Sequence, residues 1–439
     1  MRIHIIQPTH FAVPFQKRLF KSKKRDLIPL TLPYLAALIP EGVETRITDE
    51  QVQDWDPEAP YDGVFISVHI LNSFRAYEIA DAYREKGIPV VMGGPQTTFY
   101  GDEVLEHADA IAVGEGETLV PEILEDLAKG ALKTRYQASE LHDLRGLPFP
   151  KHDLINPSTL SRFRTVAVQT TRGCPYRCEF CSERYYLGEA YRMRPVDEVI
   201  EEILHGRSRQ VFFADSTFVG NRSHTMELME RLLPLKIRWS TLWNAHRVLD
   251  LELMELAKRS GLLHINMGVE SIRPETLKGM HKSTTPADRL EEVVKILRRL
   301  DISFSFNLIF GWDTDRLEDF QATLDFLNKN KVHVAFFNVF SPHKGTKIYD
   351  RFVADGRLRD EKNMGRWPGV IAEIHPEHFT AEQLEERIRS MYKEFYSWRS
   401  ILRRLPIPRS KASIASWFMN ISQRKMARQD ASRANFDGV

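Results

Sequence analysis

The chain has 439 residues, 42% of them hydrophobic and 28% charged, with a formal net charge of +1. That length exceeds one ordinary core and fits two domains plus an appendage, while a charge near zero gives the whole chain no bias toward nucleic acid or membrane. No run of about 18 apolar residues occurs, so no membrane-spanning helix is expected, and Met1–Gln7 reads as a strand rather than a signal peptide, which points to a cytoplasmic location.

Through the first part, short apolar runs alternate with helical patterns. Strands are predicted at Arg2–Gln7, Val43–Ile47, Val64–Ser67, Pro89–Met92 and Ala110–Val113, and helices at Leu32–Leu38, Phe74–Lys86 and Leu119–Leu127. The alternation predicts an α/β, doubly wound parallel sheet over 1–130, with ligand loops beyond the strand C-termini. Pro148, Pro150 and Pro157 break regular structure, so 131–160 reads as a linker. A second alternating series follows. Its strands are Arg164–Gln169, Gln210–Ala214, Arg238–Trp243, Leu263–Gly268, Ser303–Phe310 and Val332–Phe340. Its helices are Val196–Leu204, His224–Leu233, Asp250–Arg259, Ala287–Leu300 and Leu317–Asn328. Six units suggest a partial (β/α)6 barrel over 161–356, since a full barrel takes about 250 residues. The remainder, 357–439, is mostly helical. Its basic tail holds Arg399, Arg403, Arg404, Arg409, Lys411, Arg424, Lys425 and Arg428 among Trp398, Trp417, Phe418 and Met419.

The chain has three cysteines, all in Thr171-Arg-Gly-Cys174-Pro-Tyr-Arg-Cys178-Glu-Phe-Cys181. An odd, clustered set is a poor disulfide framework. The C-x3-C-x2-C spacing, between a strand and a helix, puts soft thiolates at the mouth of the barrel, where they suit an iron–sulfur cluster or zinc. Structural zinc favours two separated ligand pairs, and no histidine stands in this loop. Three thiolates on a four-iron cube leave one iron open.

This loop, with Phe180 before the third cysteine, resembles the radical S-adenosylmethionine (SAM) signature. The resemblance implies a [4Fe–4S] cluster on Cys174, Cys178 and Cys181 that binds SAM at its open iron and cleaves it to a 5′-deoxyadenosyl radical. It also implies SAM contacts. Phe180 would lie near the adenine. Asp215 and Ser216 would stand at the amino group, although the usual Gly-Gly-Glu is absent there. Arg247 would pair with the carboxylate, Glu270 of Gly268-Val-Glu-Ser would reach the ribose or ammonium, and Ile309 and Gly311 would flank the base. Each has a plainer reading: Asp215 and Ser216 as helix caps, Glu270 as an ion-pair partner, Ile309 as core.

In the first domain, Tyr61-Asp-Gly-Val-Phe-Ile-Ser67, Gly93-Gly94-Pro95 and Gly114-Glu115-Gly116-Glu117 resemble, in that order, the cobalamin-binding domain found before many radical SAM barrels. The resemblance implies cobalamin near Ser67, Gly93, Gly94, Gly114, Glu115 and Gly116. The Asp-x-His-x-x-Gly motif is absent, and His69 lacks its context. With no cysteine to spare for a second cluster, the resemblance implies C-methylation of a small-molecule or lipid-like substrate, fed by an external one-electron donor. Cyclisation, rearrangement or carbon–carbon coupling is the alternative within the family, and a non-catalytic iron–sulfur redox sensor is the alternative outside it. No nucleic-acid partner is expected. The basic tail allows a peripheral membrane contact. Trp243, His343, Tyr349 and Trp367 are candidate substrate contacts, and His281, Lys282 and Lys344 candidate anion contacts.

Overall fold

The structure, a computed structural model, describes residues 1–11, 18–359 and 371–433. The chain divides into two compact units, Met1–Gly173 with Ser182–Phe212, and Cys174–Cys181 with Phe213–Val439.

In the first unit, apolar runs such as Ile3–Ile6 and Val64–Ile66 are buried along their length, as befits parallel strands covered on both faces. Its strands are β1 (Arg2–Gln7), β2 (Arg25–Ile28), β3 (Glu44–Asp49), β4 (Gly63–Ser67), β5 (Val90–Gly93), β6 (Ala110–Val113), β7 (Arg135–Gln137), β8 (Leu160–Val168), β9 (Thr171–Arg172), β10 (Arg192–Met193) and β11 (Gln210–Phe213). Six of them form one sheet in the order β3-β1-β4-β5-β6-β7, with every neighbouring pair parallel. The direction of winding reverses between β1 and β4, the position where open α/β sheets bind ligands. Alternate residues divide between the faces. Ile6, Ile66 and Met92 pack with Ile79 and Tyr83, whereas Ile5, Phe65 and Val91 pack with Leu32 and Ile123.

The doubly wound sheet expected from the sequence is present. Four short strands, β2, β7, β9 and β10, were not foreseen. β7 extends the sheet within the stretch read as a linker, anchored by buried Tyr136, whose hydroxyl donates to Asp126. β2 pairs in parallel with β8.

The second unit holds β12 (Arg238–Trp243), β13 (Leu262–Glu270), β14 (Ser303–Phe310) and β15 (Val334–Val339), paired in parallel in that order. These are four of the six strands expected for the partial barrel; the other two, β8 and β11, belong to the first unit. The helices Leu251–Arg259, Leu290–Arg299 and Leu317–Lys329 follow β12, β13 and β14. The helices Ala381–Phe395, Trp398–Arg404 and Lys411–Arg433 make the C-terminal region. No helix among the described residues is long and apolar enough to cross a membrane.

One residue of the basic tail departs from its expected place. Arg404 is fully buried. It donates to the carbonyls of Val332, His333 and Phe395 at 2.6, 2.9 and 2.8 Å, and its guanidinium covers the Phe395 ring at 3.4 Å. Burial lowers its pKa to about 9, which leaves it a cation at pH 7. A buried charge of this kind persists because every side of it meets an acceptor.

Two buried histidines set an acid limit on the fold. His4 lies between the Tyr83 hydroxyl (3.0 Å) and Thr48 Oγ1 (2.7 Å). His333 meets Ser416 Oγ at 3.1 Å and stacks on Phe304. Burial, helped by neighbouring arginines, lowers each to about 3. An unfolded histidine takes up a proton near pH 6.5, while these stay neutral in the folded chain. The unfolded state therefore binds more protons between about pH 6.5 and 3, and stability falls as pH drops through that window. The unfolding free energy, read from urea titrations, is expected to decline below pH 6.5 on the order of 1 kcal/mol per pH unit for each histidine, and the urea midpoint with it. An unchanged midpoint between pH 7.5 and 5 would contradict this.

Candidate functional site

The thiol loop starts from a fixed stem. β9 pairs antiparallel with β10, and Gly173 follows with φ +87°, where a Cβ would lie 2.2 Å from the Ala190 carbonyl oxygen. Only glycine fits that approach.

Beyond the stem, Cys178 is buried and Cys174 and Cys181 are half-buried. The Cys174 sulfur lies 3.1 Å from Thr217 Oγ1, the Cys181 amide donates to the Cys178 carbonyl (3.2 Å), and the Glu179 amide donates to the Met280 carbonyl (3.0 Å). Burial pushes the Cys178 thiol up, opposed by the nearby Lys282 charge. Among the described residues, no trio of His, Cys, Asp or Glu is gathered into a ready metal-holding group.

Phe180 and Ile309 both pack on the apolar cluster of Met280, Trp312, Phe340, Ile348, Phe352 and Ile374. Lys282 Nζ lies 5.9 Å from the centroid of the Phe180 ring and 3.1 Å from Glu270 Oε1. Glu270 ends β13 in the left-handed region, φ +65°, an unusual conformation for a residue with a Cβ. Its side chain folds back so closely that a Cβ on Gly268 would stand 2.3 Å from Oε1. Burial raises the Glu270 pKa and Lys282 draws it back. Burial also opposes the Lys282 charge, but Glu270 and then the Cys178 and Cys181 sulfurs outweigh it, so Lys282 is held above the usual lysine range.

After β11, Asp215 is buried and Ser216 half-buried. At and just beyond the end of β12, the buried Trp243 Nε1, Asn244 Nδ2 and Arg247 Nε have no hydrogen-bond partner within the described chain, and neither has Thr284 Oγ1 on the loop after the helix Pro274–Gly279. The His246 amide donates to the Thr284 carbonyl at 3.1 Å, which brings the two loops together. Buried polar atoms are nearly always satisfied, so these four are suited to a ligand's polar groups. Gly311 has φ +102°, and its amide donates to Asp315 Oδ2 at 2.9 Å, as does that of Trp312 at 3.0 Å. Burial raises the Asp315 pKa to about 6.

In the first unit, Ser67 and Gly93 end the adjacent strands β4 and β5 in register. Gly94 and Gly114 have φ +113° and +109°, with room for a Cβ denied by the Val68 carbonyl and the Ala138 methyl. Gly116 opens the helix Gly116–Ala128. Glu115 differs from the expectation of a cobalamin contact, because its carboxylate is spent on protein. It pairs with Arg172 at 2.9 Å and Arg192 at 2.7 Å and accepts from the His142 amide at 2.6 Å. Burial opposes its charge, but Arg192 and Arg172 hold its pKa down at about 2. Glu117 pairs with the other arm of Arg172 and accepts from the Tyr34 hydroxyl. An open cavity of about 220 Å³ beside Gly114 is lined by Thr98, Ser139, Tyr185 and Tyr186. The ring of His69 is lowered to about 4 by burial.

Of the remaining candidates, Trp243 and Tyr349 are buried, burial lowers the pKa of His343, Lys282 is committed to Glu270, and Trp367 lies outside the described residues. Sequence reasoning missed Asn244, Thr217 and the two arginines that brace Glu115. Only Arg172, two residues before Cys174, carried a positional hint.

A family model described as the Radical SAM superfamily matches residues 168–327, and one described as a B12 binding domain matches residues 19–124. The chain is 28% identical to bacteriochlorophyllide d C-12(1)-methyltransferase of Chlorobaculum tepidum, over 92% of this chain and 89% of that one. It is 25% identical to hopanoid C-2 methylase of Rhodopseudomonas palustris, over 76% and 66%. Its fold is similar to that of the cobalamin-dependent S-adenosylmethionine radical enzyme OxsB, solved with aqua-cobalamin and S-adenosylmethionine bound. The TM-score is 0.70 at 18% identity, over 97% of this chain and 71% of that one.

Proposed function

The chain belongs to the radical SAM enzymes that carry a B12-binding domain, and from that premise we propose that it methylates an unactivated carbon of a polycyclic, largely apolar small molecule. Its cofactors are a [4Fe–4S] cluster, SAM and cobalamin. When bound, these supply one-electron cleavage of SAM and carriage of the methyl group.

The residues fit such groups. Cys174, Cys178 and Cys181 are the chain's whole stock of cysteine, so a cubane held by them keeps one iron for SAM. Phe180 and Ile309 offer a shared apolar wall for a flat base. The four unpartnered polar atoms of Trp243, Asn244, Arg247 and Thr284 would take up hydrogen-bonding groups of SAM or substrate. Asp215 and Ser216, with Glu270 held by Lys282, would orient its amino and ribose groups. Gly311 would allow close backbone approach. Ser67, Gly93, Gly94, Gly114 and Gly116 would line the corrin side, while Glu115 braces the turn that carries them. In this reading, 1–130 is the cobalamin domain, 131–160 the connection, 161–356 the barrel and 357–439 the C-terminal region. The electron comes from an external donor.

The observation that carries the reading is the joint placing of Phe180, which is in the thiol loop, and Ile309 on one apolar cluster, with the Glu270–Lys282 pair beside them. The substrate class is supported by relatives named for methylating a bacteriochlorophyllide and a hopanoid. The test is anaerobic turnover of reconstituted enzyme with methyl-deuterated SAM, a reductant and a tetrapyrrole or a polycyclic triterpene. Equal amounts of 5′-deoxyadenosine and S-adenosylhomocysteine, with the label in the product, are expected. Deoxyadenosine alone would mark a cyclase or a rearrangement. Neither product would mark a redox-sensing binding protein.

A further inference from the structure

The helix Lys411–Arg433 turns small and polar side chains inward. A helix packed on a sheet ordinarily turns its apolar stripe inward. Here the buried positions are Ala412, Ser413, Ser416 and Asn420. Ser416 Oγ meets Ser303 Oγ at 2.8 Å and His333 Nδ1 at 3.1 Å, and the Asn420 amide donates to the His333 carbonyl at 2.9 Å. A polar face is thus spent on the interior.

The opposite face carries Ile414, Phe418 and Ile421, which are 54%, 72% and 49% exposed. Their spacing of four and three residues puts them on one stripe. Lys411, Lys425 and Arg428 continue the same stripe at its two ends and are exposed. Trp417, half-buried, is tied to the chain by its indole N–H, which donates to the Pro406 carbonyl at 2.7 Å. Arg424 stacks on Trp398 at 5.0 Å and donates to the Tyr396 carbonyl.

The charge around this face is one-sided. From Ser397 to Gln429 there are eight Lys and Arg, of which Arg404 is buried, and no Asp or Glu, in a chain whose total is 61 basic and 60 acidic residues. Leu402 and Ile407 in this segment are also exposed, at 65% and 66%. Asp301 meets Ser410 at the start of the helix, but the stripe itself holds three large apolar side chains flanked by cations, which fits a surface that is apolar below and anionic above. We propose that the outward face of the helix Lys411–Arg433 docks on an anionic phospholipid bilayer, with Ile414, Phe418 and Ile421 entering the headgroup boundary and Lys411, Lys425 and Arg428 meeting the phosphates. A second copy of the chain is a poor occupant, because a two-fold contact would set these cations against their own counterparts. Lipid docking is a property of this face alone and does not depend on methyl transfer.

The test is flotation of the intact protein with vesicles of phosphatidylcholine containing about 30% phosphatidylglycerol, and with pure phosphatidylcholine. The protein is expected to float with the anionic vesicles only, and to be released at about 0.5 M salt. Phe418→Glu is expected to lower the bound fraction about tenfold, and Lys425→Glu about fivefold or more. Both side chains are exposed, and an unchanged melting curve verifies the fold of each variant. Protein that stays in solution with both vesicles, or a Phe418→Glu variant that floats like the parent, overturns the proposal. So does a concentration-dependent dimer that Phe418→Glu dissociates, which would give the face to a second copy.

Discussion

Cys178→Ala protein, purified without oxygen and reconstituted, is expected to hold under about a tenth of the parent's iron and to release no measurable 5′-deoxyadenosine from SAM. Cys178 is the buried member of the three thiols, so no solvent ligand replaces its sulfur readily. With no fourth cysteine in the chain, no other thiolate can take over the vacated corner. Cys174→Ala and Cys181→Ala are expected to behave alike, since a cube held by two corners is not retained. Iron analysis and the visible absorption spectrum, measured beside product analysis, check the result. A Cys178→Ala protein with the parent's iron content and cleavage rate would remove the thiol loop from the chemistry altogether.

The second large effect is expected at Lys282. Its ammonium lies 3.1 Å from Glu270, and both side chains are buried. Lys282→Met strands the Glu270 carboxylate in an apolar setting, which costs about 3–5 kcal/mol. Glu270→Gln with Lys282→Met removes both charges and is expected to recover most of that stability, because a neutral buried pair carries little desolvation penalty. The double variant is still expected to cleave SAM at least about tenfold more slowly, since the carboxylate that would orient the cofactor is gone. Urea unfolding separates the first effect from the second. If Lys282→Met proved as stable as the parent, the pair would be incidental. If the double variant kept full cleavage, Glu270 would have no part in holding SAM.

Much of this arrangement was legible in the sequence. β12 and β14 follow the predicted Arg238–Trp243 and Ser303–Phe310 residue for residue, because Arg-Trp-Ser-Thr-Leu-Trp and Ser-Phe-Ser-Phe alternate with the period of a strand between stretches of helical periodicity. The thiol loop stood out because cysteine occurs nowhere else. β2, β7, β9 and β10 were missed because Arg-Asp-Leu-Ile, Arg-Tyr-Gln, Thr-Arg and Arg-Met offer neither an apolar run nor room for a period to register. Arg404 was misread because charge in a sequence implies water until a partner is known, and the partners of Arg404 include main-chain carbonyls up to 72 positions away. The Glu270–Lys282 pair needed a bulge between Gly268 and Glu270 and a left-handed residue, neither of which a composition or a period reveals.

Arg172 clasps Glu115 and Glu117 with its two arms, two positions before the first thiol. The foot of the three-cysteine loop is therefore stitched into the same unit as the doubly wound sheet, and a cut through the polypeptide at residue 160 would tear that seam rather than free a self-sufficient piece. Anyone exchanging corrin modules between such enzymes must transplant the acid pair and its arginine as one piece.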